Sequence, residues 1–183
     1  MADKLLKKDS IKGKNNKVIE ETSNHLTKKM VSKINFKNAD IIVEYGAGSG
    51  IITKQLLNRM NENSKLFVFE TNENYTNFLS GINDKRLQII NYDAEKAKSI
   101  LLETYNVENV DYIISKISLN SINRRKRKRI IFKSYNLLNK NGKFIGYQYF
   151  PTIYGLLKKK FSKISMSYTL INIPPAFIFE GIK

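Results

Sequence analysis

Ile41-Ile42-Val43-Glu44-Tyr45-Gly46-Ala47-Gly48-Ser49-Gly50-Ile51-Ile52 is the stretch on which the fold turns. Its first five residues are mostly apolar and read as a short strand buried on both faces. Glycines then recur at alternate positions. Glycine is needed where a backbone takes positive φ or approaches a ligand closely. Ile51 to Met60 has helical spacing, so the segment is a strand, a tight turn and a helix.

The same alternation continues outward. Leu66–Glu70, Leu87–Ile90, Val110–Ser115 and Lys143–Tyr149 read as further strands. Glu73–Leu79, Ala94–Tyr105 and Arg125–Leu138 read as helices, with Asn139-Lys140-Asn141-Gly142 as the C-terminal stop of the last. A short basic helix follows around Leu156 to Phe161. Strands alternating with helices predict an α/β, Rossmann-like fold with a mostly parallel sheet. Ser165–Ile171 and Phe177–Glu180, separated by Pro174-Pro175, predict an antiparallel C-terminal edge that completes seven strands. Upstream, Val18, Ile19, Leu26, Met30 and Ile34 mark an amphipathic helix over 18–34, preceded by a polar, lysine-rich arm. The chain divides into this arm and helix over 1–37 and a ligand-binding domain over 38–183.

The net charge of +16 predicts a polyanionic partner, and charge alone does not choose between nucleic acid and an anionic membrane. A lysine-rich composition serving solubility is the plainer alternative. The absence of cysteine excludes thiolate zinc sites, disulfides and cysteine nucleophiles. Nothing in the sequence calls for a metal. No apolar run is long enough to cross a bilayer, and the N-terminus lacks the apolar core of a signal peptide. A cytoplasmic protein is expected, peripheral on the inner face of the membrane if it docks there, and a monomer.

The loop spacing is G-x-G-x-G, whereas dinucleotide loops read G-x-G-x-x-G and place a pyrophosphate on the helix N-terminus. Here Glu44 stands two positions before the first glycine. An acid in that place suits S-adenosylmethionine (SAM), which has no pyrophosphate but carries a sulfonium and an amino group. Glu70 ends the second strand, where a carboxylate accepts hydrogen bonds from ribose hydroxyls. Asp93 follows the third, placed to accept a hydrogen bond from an adenine amino group. Asp93 also precedes a helix, and N-capping is its structural alternative. Three acids at three successive strand ends predict one crevice.

From about residue 19 the chain resembles the small bacterial phospholipid N-methyltransferases, relatives of the rRNA adenine dimethylase-like proteins. The resemblance is carried by Val43–Gly50, Val68-Phe69-Glu70-Thr71-Asn72, Asn91-Tyr92-Asp93-Ala94-Glu95, Val110–Ser115, the strand Gly142–Tyr149, and the ending Leu170-Ile171-Asn172-Ile173-Pro174-Pro175-Ala176-Phe177. It implies the class I methyltransferase fold, SAM as donor, and an amine acceptor of the phosphatidylethanolamine kind. It carries over Glu44, Gly46, Gly48, Glu70 and Asp93 as cofactor contacts. Their neighbours Ala47, Gly50, Thr71 and Ala94 belong to the same candidate set. Ser115 begins the family's motif after the fourth strand and is a candidate on both the cofactor and the catalytic side. The chain departs from the family there. Ser115-Lys116-Ile117-Ser118-Leu119 has lysine at a small position and no proline, and it is not the Asn-aliphatic-Pro-aromatic tetrad of adenine dimethylases.

Methyl transfer from a sulfonium needs proximity, alignment and a dry pocket, and an alkyl ammonium must lose its proton first. Tyr147 and Tyr149 alternate onto one face of the fifth strand and are candidates to hold the acceptor, with sheet packing as the alternative. His25, the single histidine, reads as a helix-surface residue. Arg124 to Arg129 and Lys158 to Lys160 are basic runs suited to phosphate, or else solvated helix faces. The expected function is SAM-dependent N-methylation of an amino-phospholipid at a membrane surface. RNA methylation and SAM binding without catalysis are the alternatives.

Overall fold

The computed structural model describes residues 24–170 and 175–183. The predicted arm, residues 18–23 of the predicted helix, and residues 171–174 of the closing motif lie outside the described residues. Seven strands form one sheet in the order β3-β2-β1-β4-β5-β7-β6. They are β1 (Ile41–Tyr45), β2 (Lys65–Phe69), β3 (Leu87–Ile90), β4 (Val110–Ser115), β5 (Leu138–Gln148), β6 (Lys163–Thr169) and β7 (Ala176–Ile182). The first five run parallel. β7 lies antiparallel between β5 and β6. The predicted α/β class and antiparallel edge are both present.

Two layers of helix cover the sheet, because successive strand residues point to opposite faces. Val43, Tyr45, Phe67, Phe69 and Ile113 point into one core with Ala97 and Leu101 of α4 (Ala97–Tyr105), Ile130 and Ile131 of α5 (Arg124–Leu137), and Leu157 of α6 (Tyr154–Lys158). Ile42, Leu66, Val68 and Ile114 point into the other. There they meet α1 (24–31) through Leu26 and Met30, α2 (Ile51–Leu57) through Ile52 and Leu56, and α3 (Glu73–Leu79) through Leu79. The described part of the N-terminal helix therefore packs on the sheet. His25 is exposed on it.

One local prediction is corrected. Asn139–Gly142 does not cap α5. The helix passes at Leu138 straight into extended backbone, and β5 begins there. Leu138 pairs with Val110 and Lys143 with Tyr112, so the four residues between them bulge out of the ladder. Asn141, at φ 65, takes the left-handed conformation there. Gly142 is small for a different reason. A Cβ would stand 2.9 Å from the Asn139 carbonyl oxygen and 3.1 Å from that of Asp111.

Candidate active site

The chain leaves β1 at Tyr45 and turns over the carboxyl end of the sheet. Gly46, Gly48 and Gly50 have φ of 73°, 54° and 74°, in the region that side chains disfavour. Gly50 caps α2 in this conformation, and a Cβ on it would lie 2.8 Å from Leu79. The Gly46 N–H donates to the Phe69 carbonyl at 2.8 Å, which ties the loop to β2.

Glu70 follows β2 immediately and is 8% exposed. Its Oε2 accepts the Gly48 N–H and its Oε1 the Asn72 N–H, both at 2.9 Å. Asp93 combines two roles. It caps the short turn Ala94–Lys96 by accepting the Glu95 N–H at 2.9 Å, and it pairs with Lys126 Nζ at 2.6 Å. Partial burial works to raise its carboxyl, but the Lys126 contact and the Glu95 N–H together hold it below the ordinary value.

A cleft of about 270 Å³ opens between these groups. Gly46, Glu70, Thr71, Asp93 and Ala94 of the candidate set line it. Its opposite wall is Ile117, Ile122, Lys126 and Ile130, with Tyr92 at the rim. Sequence reasoning missed that wall, since it comes from the loop after β4 and from the first turns of α5. The basic run was the one available signal, and it does not distinguish Lys126, which faces the cleft, from its neighbours.

Glu44 does not line the cleft. It is fully buried beneath the loop, where Thr53 Oγ1 donates to its Oε2 at 2.7 Å. Its Oε1 has no hydrogen-bond partner. Burial pushes the carboxyl up to about 7, against the Thr53 hydrogen bond and the charge of Lys116. Ala47 and Gly50 are buried in the loop. Ser115 ends β4 beside Tyr45 and Gly146, 1% exposed, and its Oγ is also unpartnered. Lys116, the departure from the family pattern, reaches over the loop. Its Nζ lies 3.6 Å from where a Cβ of Gly48 would stand.

The segment after Ser115 lacks proline but is held by Gln148, which is 3% exposed. The Gln148 amide donates to the Ile117 carbonyl at 2.9 Å and accepts the Asn120 N–H at 3.1 Å. Tyr147 lies on β5, whereas Tyr149 follows the strand's last residue, Gln148, and does not share the strand as expected; the two rings still meet edge to face, with centres 5.8 Å apart. Tyr149 is exposed, whereas Tyr147 packs against the core. Burial, together with Tyr149, pushes the Tyr147 phenol up to about 12, so it stays protonated near neutrality.

The arrangement fits SAM. A carboxylate at the end of β2 suits a ribose, an acid after β3 suits an exocyclic amine, and the isoleucine wall between them suits a flat purine. Buried Glu44 Oε1 and Ser115 Oγ hold unspent polar capacity under the glycine loop. Among the described residues no cluster of acids and histidine could hold a metal ion.

Residues 19–135 match the family model of the ribosomal RNA adenine dimethylases. The chain is 23% identical over 163 residues to an ornithine lipid N-methyltransferase of Singulisphaera acidiphila, across 86% of this chain and 84% of that protein. It shares its fold with a precorrin-6y C5,15-methyltransferase of Geobacter metallireducens, at a TM-score of 0.67 and 14% identity, over 86% of this chain and 87% of that one. A Burkholderia thailandensis 1,6-didemethyltoxoflavin-N1-methyltransferase with bound S-adenosylhomocysteine matches at a TM-score of 0.70 and 11% identity, over 100% of this chain and 88% of that one.

Proposed function

We propose that this chain, which belongs to the ribosomal RNA adenine dimethylase family and is a SAM-dependent methyltransferase, methylates the headgroup amine of an amino-lipid at a membrane surface. The observation that carries the lipid reading is an apolar rim at the mouth of the site. Tyr149, Phe150, Tyr168 and Leu170 are 41%, 66%, 61% and 70% exposed. Gln148 pairs with Phe177 and Phe177 with Tyr168, so these groups gather at the carboxyl end of β5, on the acceptor side of the sheet. Exposed aromatic groups beside basic helices suit the boundary between headgroups and acyl chains. The ornithine lipid N-methyltransferase relative supports the same acceptor class.

Bound SAM supplies an electrophilic methyl group on a sulfonium. The chain's own residues bind and orient. Glu70 receives the ribose hydroxyls and Asp93 the adenine amine, while the Ile117–Ile130 wall keeps water from the purine. Glu44, bonded to Thr53 of α2, supports the loop from beneath. The Tyr147 phenol is too weak an acid to serve as base at neutral pH. Tyr149, exposed beside it, gives the acceptor an aromatic face.

Incubating the protein with methyl-labelled SAM, vesicles containing phosphatidylethanolamine, and total RNA tests this directly. Label in the lipid fraction supports the reading. Label in RNA alone overturns it in favour of nucleic acid.

A further inference from the structure

A second cleft, of about 390 Å³, lies between α5 and α6, across α5 from the cofactor cleft. Arg124, Arg127 and Lys128 of α5 face Lys159 at the end of α6, over a floor of Phe132 and Leu156. On α5 the first three stand at i, i+3 and i+4, and so share one face. Like charges at that spacing repel, and cations at a helix N-terminus oppose its dipole. Neighbours relieve other members of the run: Lys126 pairs with Asp93, and Arg129 with Glu95 at 2.8 Å. Among the described residues, Arg127 is steadied by the neutral Asn120 alone, at 3.3 Å. Among the described residues, Arg124, Arg127, Lys128 and Lys159 make no ion pair. An unfavourable cluster of four unneutralised cations around a concave space is matched by an anion.

The floor says which kind. Lys128 and Lys160 ammonium groups stand over the Phe132 ring, 5.3 and 5.5 Å from its centre, so cations rather than a nucleobase cover that face. Leu156 adds apolar lining, and the exposed Phe150 of the rim immediately precedes the Pro151–Lys158 segment that carries it. We infer that the α5–α6 cleft binds the phosphate of an anionic phospholipid, with the glycerol and proximal acyl chain along Leu156, and so seats the enzyme on the membrane beside its acceptor site. The inference rests on the membrane part of the proposed function, not on the identity of the acceptor.

Gly155 allows the cavity to be tested apart from its charge. Gly155 lines the cleft and a Cβ there meets nothing within 4 Å, so a branched side chain adds bulk at the cleft wall. The experiment measures co-sedimentation of the full chain with phosphatidylcholine vesicles, with and without phosphatidylglycerol, and binding to a single-stranded RNA oligonucleotide. The variants are Gly155→Leu, Lys159→Glu, and Lys140→Glu, a charge-matched control in the β5 bulge beyond the C-terminal end of α5. Circular dichroism melting checks that each is folded. Wild type should bind only the phosphatidylglycerol vesicles. Gly155→Leu and Lys159→Glu should each weaken that binding by about five-fold or more, and Lys140→Glu by less than half of that. Equal losses in both charge variants with Gly155→Leu unchanged would mean diffuse charge and would overturn the cleft while leaving membrane action intact. No binding of wild type to any vesicle would overturn both readings. Loss of RNA binding in Gly155→Leu, with vesicle binding unaffected, would assign the cleft to nucleic acid instead.

Discussion

Glu70 Oε2 accepts the N–H of Gly48 at 2.9 Å, so the acid that ends β2 is physically coupled to the middle of the glycine loop. The carboxylate thus has two duties: it is placed to receive ribose hydroxyls, and it sets the loop that would lie along the rest of the cofactor. Glu70→Ala should weaken SAM binding by about 1–3 kcal/mol, the worth of charge-assisted hydrogen bonds. Titration calorimetry checks this, and unchanged affinity would remove the cofactor from this cleft.

The Lys126 ammonium stands 2.6 Å from Asp93, so the acid intended for adenine already holds a cation. Lys126→Met frees that acceptor and adds apolar surface to the wall. SAM should bind about two- to five-fold more tightly, by roughly 0.5–1 kcal/mol, the value of a partly exposed ion pair no longer competing. Weaker binding in the variant would instead make Lys126 a cofactor contact in its own right.

Glu44 gives a pH dependence of stability. Its folded carboxyl, raised to about 7, keeps a proton that the unfolded chain releases near 4.5. The native state therefore binds more protons between these values. The contribution is fully present below the lower one and is lost as pH rises through the upper. Glu44→Gln, whose amide oxygen can still accept from Thr53, should flatten the profile. At pH 8 it should be more stable than wild type by on the order of 1–3 kcal/mol, with no advantage at pH 4. Urea denaturation at the two pH values measures the difference, and identical profiles would show that the carboxyl is not held neutral.

Lys116 brings a positive charge over the loop, where the phospholipid N-methyltransferases that the chain resembles have a small residue. SAM carries a sulfonium and S-adenosylhomocysteine does not, so the lysine opposes the first more than the second. Lys116→Gly should shift the ratio of their dissociation constants toward SAM by roughly three- to ten-fold. A ratio that does not move would place the ammonium away from the sulfonium.

Arg86 is a structural clamp far from any chemistry. It grips Asp84 at 2.6 Å, and it donates to the carbonyls of Leu57 at 2.8 Å and Met60 at 2.7 Å, where α2 ends. Arg86→Ala should cost about 2 kcal/mol. That corresponds to a fall of about 4–8 °C in Tm. A smaller shift in thermal denaturation would mean that water replaces the guanidinium.

The sequence by itself determined the order of the elements, the class of the fold and the cofactor loop. These depend on local periodicity and on glycines forced into positive φ, which adjacent residues encode. It also determined that Glu70, Asp93, Thr71 and Ala94 stand together, because parallel strands deliver their carboxyl ends to one edge. The tertiary structure alone decided what lies across from them. Ile117, Lys126 and Ile130 form a wall only because β4 packs beside β1, a pairing between distant segments. The pleat buries Glu44 under α2 while Glu70 emerges into the cleft. The Asn139–Gly142 bulge replaced a predicted helix stop, because pairing with β4 begins at Leu138 and outweighs the turn propensity of asparagine and glycine. Likewise the basic run was legible as charge. Only the packing of α6 against α5 turned one of its faces into a cleft and left the other neutralised by Asp93 and Glu95. Side-chain charge is a local property, but what it faces depends on contacts between segments remote in the chain.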